Sequence, residues 1–334
     1  MGWIALADHE GHFFAANGLD APKGAPALVN TGSGAMLTRG SLVIETRLPT
    51  IKRPQPLVSY NRPGKWPLHL SLQAIPGGGL TLVLDQGGNI LHKSINHSEA
   101  GQMDILRITY SWDSLKQWGQ LALERSDQEH VVLVPIDSPM PLLVRDIQSL
   151  VRPSTDRYLA PDVIYLAVST DIEPVGQMPS LTPQIQVATP IGYQEIGRLR
   201  RGDLVRTAVG ESVPVLQTLT RTVPARGHFS PVLLRAPFFG LLQDITVASS
   251  QRLVISGSKV EYLFGREFVL VPAFHLLGGT SARRAKHGLL ITYTQLLLPG
   301  HEPLDAAGTI VESQYIGRLR RKKDQLNAGL LANF

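Results

Sequence analysis

The feature that most restricts this chain is the spacing of its short apolar alternations. From Gly40 to Leu48 it reads Gly-Ser-Leu-Val-Ile-Glu-Thr-Arg-Leu, with Leu42, Ile44 and Thr46 on one side and Glu45 and Arg47 on the other. A period of two marks a half-buried strand. Leu68, Leu70 and Leu72 repeat the pattern after Trp66-Pro67. Gly77-Gly78-Gly79 forms a turn, Leu80 to Asp85 is the next strand, and Gly87-Gly88-Asn89 turns the chain again. Asp104 to Ser111, Gly119 to Glu124, Glu129 to Pro135 and Asp162 to Ser169 continue the series. Short strands separated by hairpin-sized turns predict an antiparallel β-sandwich. Strands do not alternate with long helices, which argues against a parallel α/β sheet. The first 30 residues are broken by Gly11, Gly18, Pro22, Gly24 and Pro26 and predict no regular element.

A seam follows. Asp171 to Pro183 holds Pro174, Gly176, Pro179 and Pro183 and reads as a linker. Beyond it come further short strands: Gln184 to Thr189, Asp203 to Thr207, Val213 to Arg221, Val232 to Arg235, Ile245 to Val247, Arg252 to Ser256, Phe268 to Pro272 and Leu289 to Leu298. The 334-residue chain is thus expected to be all-β, with one domain over 1–175, a second over 181–317 and a basic tail over 318–334. Charge supports the division. Residues 1–180 carry 14 Lys/Arg against 17 Asp/Glu, a net of −3, and residues 181–334 carry 18 against 10, a net of +8. Opposite halves can attract weakly, so weak self-association is one expectation. The basic surplus is diffuse and lacks interleaved aromatics, which argues against nucleic acid as a partner. In the tail, Arg318, Arg320, Arg321, Lys322 and Lys323 precede Leu326 and Leu330, a short basic amphipathic pattern.

The chain contains no cysteine. That removes disulfides, thiol nucleophiles and zinc–cysteine sites together. No dinucleotide fingerprint or phosphate loop is present, so no cofactor is expected. No apolar run is long enough for a membrane-spanning helix. The first residues lack the basic and apolar regions of a signal peptide, so the compartment is left as cytoplasmic or reached by a signal-independent route.

The second body resembles a Hint domain, the hedgehog/intein self-processing fold, most closely its stand-alone bacterial subfamily. Thr189-Pro190-Ile191-Gly192 matches the family's T-P-x-G turn, and Ile196 to Thr207 matches its L-x-x-G-D-x-V-x-T phrase through Gly202 and Asp203. Val247 to Leu253 stands where the family has a histidine-bearing segment. Val269 to Leu276, through Pro272, matches an L-V-P-A phrase, and Val311-Glu312-Ser313 matches a closing E-S phrase. More weakly, Gly40 to Glu45 and Leu106 to Asp113 resemble phrases of concanavalin-like, laminin-G-like sandwiches.

The resemblance implies a chemistry. A cysteine or serine opening the domain attacks the preceding carbonyl, and a histidine donates to the leaving amide nitrogen. The nucleophile position falls on Ser180 and the histidine position on Gln251, an amide that cannot titrate. A late-strand histidine position falls on Gln295. The expectation is a catalytically degenerate Hint-like protein serving as a scaffold or binding module, not an enzyme. The alternatives are serine-dependent self-cleavage and glycan binding through the first domain. His275, between Phe274 and Leu276, reads as a core or half-buried histidine, with acid–base work as its alternative. His301, beside Glu302 in a Pro-Gly turn, is the other candidate imidazole. Thr189, Gly192, Gly202, Asp203 and Pro272 are read as fold-defining. Gly202 turns the chain and Asp203 bonds backbone amides in the same turn. Trp66, Trp112 and Trp118 are the aromatics available for sugar stacking if they are exposed. His9 and His12 read as a solvated turn, His92 and His97 as loop residues, and no metal site is expected.

Overall fold

The computed structural model describes residues 2–47, 53–76, 79–96, 105–125 and 131–315. Gly77, Gly78, His97 and the basic tail lie outside these residues. The described chain divides into two compact units, 2–176 and 177–315. Both are β-structures, and the pairing is antiparallel almost throughout.

The first unit is built from two large sheets over one core. The seven-stranded sheet runs Val131–Asp137, Trp118–Arg125, Ile105–Asp113, Arg39–Arg47, Val163–Ser169, Trp3–Ala7 and His12–Phe14. The five-stranded sheet runs Arg157–Leu159, Gln55–Arg62, Leu68–Ile75, Gly79–Gln86 and Asn89–Asn96. Leu42, Ile44, Ile108 and Leu121 of the one pack with Leu70, Leu72, Leu82 and Leu84 of the other. Alternation along each strand sends these residues to a shared interior, the arrangement of a sandwich.

Two expectations need correction here. Trp3–Ala7 is a strand, and all five of its residues are buried. A short apolar run buried on both faces carries no period, so turn residues downstream masked it. The Arg39–Arg47 strand is not half-buried either: Glu45 is as fully buried as Ile44. At the centre of the seven-stranded sheet the outward residues Ser41, Thr109, Ser111, Gln120 and Ser169 are buried as well. A strap of backbone lies on this face. Asp171 N–H donates to Ser169 Oγ (3.1 Å), Glu173 N–H to Ser41 Oγ (2.9 Å) and Gly176 N–H to Glu124 Oε1 (2.5 Å). Arg107 grips Glu124 through two nitrogens (2.8 and 2.7 Å) and donates to the carbonyl of Gly176 (3.0 Å). The first half of the expected linker is therefore fastened to the sheet. Tyr165, Glu45, Arg107 and Glu124 are cross-strand neighbours in one row, so the buried guanidinium is flanked by carboxylates on both sides.

A helix, Val144–Val151, was not expected. Val144, Ile147, Leu150 and Val151 fall at helical spacing and are buried. Its Asp146 is held by Arg62 (2.6 and 3.2 Å) and by the Tyr60 hydroxyl (3.1 Å).

The second unit wraps smaller sheets around a core that includes Leu181, Val187, Val205, Val247, Leu253, Leu296 and Val311. A six-stranded sheet runs Gly192–Glu195, Gln186–Thr189, Leu304–Ala306, Thr309–Val311, Arg252–Ser256 and Phe268–Pro272. One three-stranded sheet places Leu290–Leu298 between Gln217–Pro224 and Gln314–Tyr315. Another places Pro231–Leu234 between Ile245–Ala248 and Ala282–Arg284. Of the residues read as fold-defining, Thr189, Gly192, Gly202 and Asp203 sit at turns or strand ends. Gly192 and Gly202 have φ of +113° and +93°, which L side chains rarely adopt. Thr189 Oγ1 donates to the Gly192 carbonyl (2.5 Å), and Asp203 Oδ2 accepts from Arg200 N–H (2.7 Å). Pro272 closes its strand.

Candidate functional site

The second unit begins by threading its first residues between two strands. Leu181 bridges Val247 on one side and Thr294 on the other. Its N–H donates to the Thr294 carbonyl (3.3 Å) and its carbonyl accepts from Thr294 N–H (2.6 Å). The Ser180 carbonyl accepts from Ala248 N–H (2.7 Å). These bonds fix Ser180, which is buried, at the mouth of the turn that carries Gln251.

Ser180 Oγ donates to Gln251 Oε1. The glutamine's orientation follows from its other contacts. Its Nε2 donates to the carbonyls of Arg252 (2.7 Å) and Glu312 (3.3 Å). Both of those are acceptors only, so the amide nitrogen must face them and the amide oxygen must face the serine. Gln295 Nε2 donates to the same Glu312 carbonyl (3.1 Å), while its buried Oε1 has no hydrogen-bond partner among the described residues. The Glu312 carboxylate accepts from Arg252 Nε (3.0 Å) and lies 3.0 Å from His301 Nε2.

Ser180, Gln251 and His301 thus belong to one polar cluster, in which His301 reaches the serine only through Glu312 and Gln251. His275 does not join it. It is exposed in the turn Ala273–Leu276, its ring 3.9 Å from that of Phe274, so the expected core placement is wrong. The partner of His301 is Glu312, eleven residues on, and not its neighbour Glu302. Glu312 is the residue that sequence reasoning missed as a hub. Its one signal was its place in the closing Val311-Glu312-Ser313 phrase.

The arrangement is poor for acyl transfer. A serine nucleophile must pass its proton to a base, and an amide oxygen is not one. The leaving nitrogen must receive a proton, and Gln251 turns its N–H groups away from Ser180 toward two carbonyls. Burial pushes the Tyr293 hydroxyl, next to this region, well above the usual phenol range, and it donates to the Phe229 carbonyl (2.9 Å).

The candidate aromatics separate. Trp112 is fully buried and its indole N–H donates to the Leu37 carbonyl (3.0 Å), so no face is left for a ligand. Trp118 is half-buried at the start of its strand. Trp66 is 46% exposed. His9 bonds the Val163 carbonyl (2.9 Å). His92 lies within the strand Asn89–Asn96, where a loop was expected. Among the described residues no group of three or more His, Asp or Glu is placed to hold a metal ion, and no helix is long and apolar enough to cross a membrane.

The sequence profile of the Hint domain family matches residues 179–318, starting one residue before Ser180. Among solved structures the chain is similar to the gp41-1 intein, with 12% identity over 40% of this chain and 98% of that one at a TM-score of 0.27. It is similar to the MchDnaB-1 intein, with 14% identity over 40% of this chain and 99% of that one at a TM-score of 0.29. Sheep galectin-11 aligns at 10% identity over 40% of this chain and 82% of that one, with a TM-score of 0.24. TM-scores this low fix neither an activity nor a ligand. No curated protein matches the chain. Residues 179–318 carry a Hint domain, and that domain contains no cysteine.

Proposed function

We propose that this Hint domain has lost self-processing and is retained as a rigid scaffold or binding module. The observation that carries the reading is the locked amide of Gln251. It occupies the acid–base position, holds the Ser180 hydroxyl as a donor, and commits its own N–H groups to the carbonyls of Arg252 and Glu312. Self-cleavage would begin by moving the Pro179 acyl group from the Ser180 nitrogen to Ser180 Oγ, forming an ester. Hydroxylamine tests for that ester directly, since it would release residues 1–179 as a hydroxamate and free the Ser180 amine. The expected result is no hydroxamate. Its appearance in the natural chain and its loss in Ser180→Ala would establish serine-dependent processing instead.

A second reading assigns glycan binding to the first unit, taken as concanavalin-like. Two features favour it. Asn61, His69 and Asp85 form one cross-strand row on the outward face of the five-stranded sheet, with Asn61 and His69 exposed. At the end of the same sheet Trp66 lies flat on a turn: a Cβ added to Gly87 would sit 3.0 Å from three atoms of its ring. One face of the indole is thereby fixed, and polar side chains are ready to bond hydroxyl groups. A glycan array gives binding that His69→Ala and Trp66→Ala abolish, or it gives none and the reading fails.

A further inference from the structure

The strand Phe268–Pro272 closes one edge of the six-stranded sheet, paired on one side only among the described residues. Its sequence, Phe-Val-Leu-Val-Pro, carries no charge. Natural edge strands are usually blunted by charge, a bulge or a cover, because their free N–H and C=O groups recruit another strand. Within this strand itself only the terminal Pro272 offers such protection.

The pairing shows which groups are free. Ala273 N–H donates to the Gln251 carbonyl (2.8 Å), and Leu253 stands opposite Val271, Ile255 opposite Val269. By alternation the backbone groups of Val269 and Val271 turn inward to the neighbouring strand, and those of Phe268 and Leu270 turn outward. The side chains of these two residues are also the exposed ones, Phe268 at 57% and Leu270 at 39%. The helix Ser258–Phe264 packs on the same hairpin through buried Val260 and leaves Tyr262, Leu263 and Phe264 at 89%, 68% and 60% exposure.

We propose that this face pairs with a second copy of the chain, edge to edge and antiparallel, about a two-fold axis through Val269. In that register Phe268 stands opposite the partner's Leu270 and Leu270 opposite the partner's Phe268. Each pair exchanges both of its N–H···O bonds, giving four across the junction. The interface is self-complementary, as two-fold pairing requires. Its size fits. With roughly 200 Å² per large side chain, the exposed fractions leave about 600 Å² of apolar surface on each copy, and complete burial on both would come to about 1,200 Å², the lower bound for a specific interface.

The lack of cysteine supplies the test. Val269 would face its own counterpart in a non-hydrogen-bonded pair with Cα atoms about 4.5 Å apart, within the range a disulfide spans. In the full-length Val269→Cys chain, mild oxidation at micromolar protein is expected to give a covalent dimer, whereas Ile191→Cys, on a different exposed turn, gives no cross-linked species. Sedimentation of the natural chain is expected to show a dimer, weakened at least about tenfold by Leu270→Lys, whose melting temperature matches the natural chain's at concentrations where both are monomers. A natural chain that sediments as a monomer at all concentrations overturns the proposal. So does a dimer that Leu270→Lys leaves intact while Val269→Cys fails to cross-link. A monomer that instead floats with anionic phosphatidylglycerol vesicles would assign the face to a membrane and also overturn it.

Discussion

At the scale of single residues, the polar cluster around Ser180 is a structural device, and its members can be ranked. Ser180→Ala removes the hydroxyl that satisfies Gln251 Oε1 and leaves a buried acceptor without its bond, a cost of about 1–3 kcal/mol. Thermal unfolding of that variant should show a lowered midpoint, while the chain stays as intact as before. Gly202 makes a different prediction. A Cβ there would meet nothing within 4 Å, so the penalty for substitution comes from its φ of +93° alone. Gly202→Val should cost on the order of 1–3 kcal/mol, and Gly202→Asn much less, because asparagine tolerates this region. Equal midpoints for the two variants would contradict a conformational origin. The meeting of Ser180 with Gln251 was legible in the sequence through the order of its phrases. The hub at Glu312 was not. It gathers Gln251 and Gln295 through its backbone carbonyl and Arg252 and His301 through its carboxylate, and no periodicity records a carbonyl's neighbours.

At the scale of elements, strands with a readable alternation or firm turn boundaries were legible, Arg39–Arg47 and Val163–Ser169 among them although both their faces are covered, and strands lacking those signals were not. Leu68–Ile75 alternates buried with more exposed positions at its start, and Phe268–Pro272 was placed to the residue. Trp3–Ala7 escaped because its five apolar residues are too few and too uniform to show a period, and turn residues follow at once. Gln55–Arg62 escaped because Pro49 and Pro54 stand before it and argue against further ladder bonds, although a strand tolerates proline at its start. The strap over the seven-stranded sheet escaped because Pro174 and Gly176 carry the signature of a free linker. It gives a sharp prediction. The side chains of Arg107 and Glu124 are 13% and 8% exposed, so Arg107→Met strands a buried carboxylate and should cost about 3–5 kcal/mol. Glu124→Gln, which keeps an acceptor for both Gly176 N–H and Arg107, should cost clearly less. Urea unfolding of the two variants checks the order, and the reverse order would refute the role given to the pair.

At the scale of the whole molecule, three tyrosines bind stability to pH. Burial pushes the hydroxyls of Tyr110, Tyr165 and Tyr293 above the ordinary phenol range, and the nearby Glu45 carboxylate adds to the rise for Tyr165. An unfolded chain releases these protons near pH 10 while the folded chain keeps them. Their stabilising contribution is therefore complete below about pH 10 and is lost as pH climbs toward the folded values. The melting temperature should hold to about pH 9 and fall steeply above pH 10. Tyr293→Phe should flatten the fall for the second unit, at the cost of about 1 kcal/mol for its bond to Phe229. A melting curve equally flat across that range in the natural chain would contradict the burial of these hydroxyls.

The central claim is that the Hint domain holds its serine without using it. Intact-mass spectrometry of the full-length protein, held for days at neutral and mildly alkaline pH, tests it most directly. A single species at the full mass of 36.4 kDa is expected throughout. Two fragments that divide the chain between Pro179 and Ser180 would contradict it.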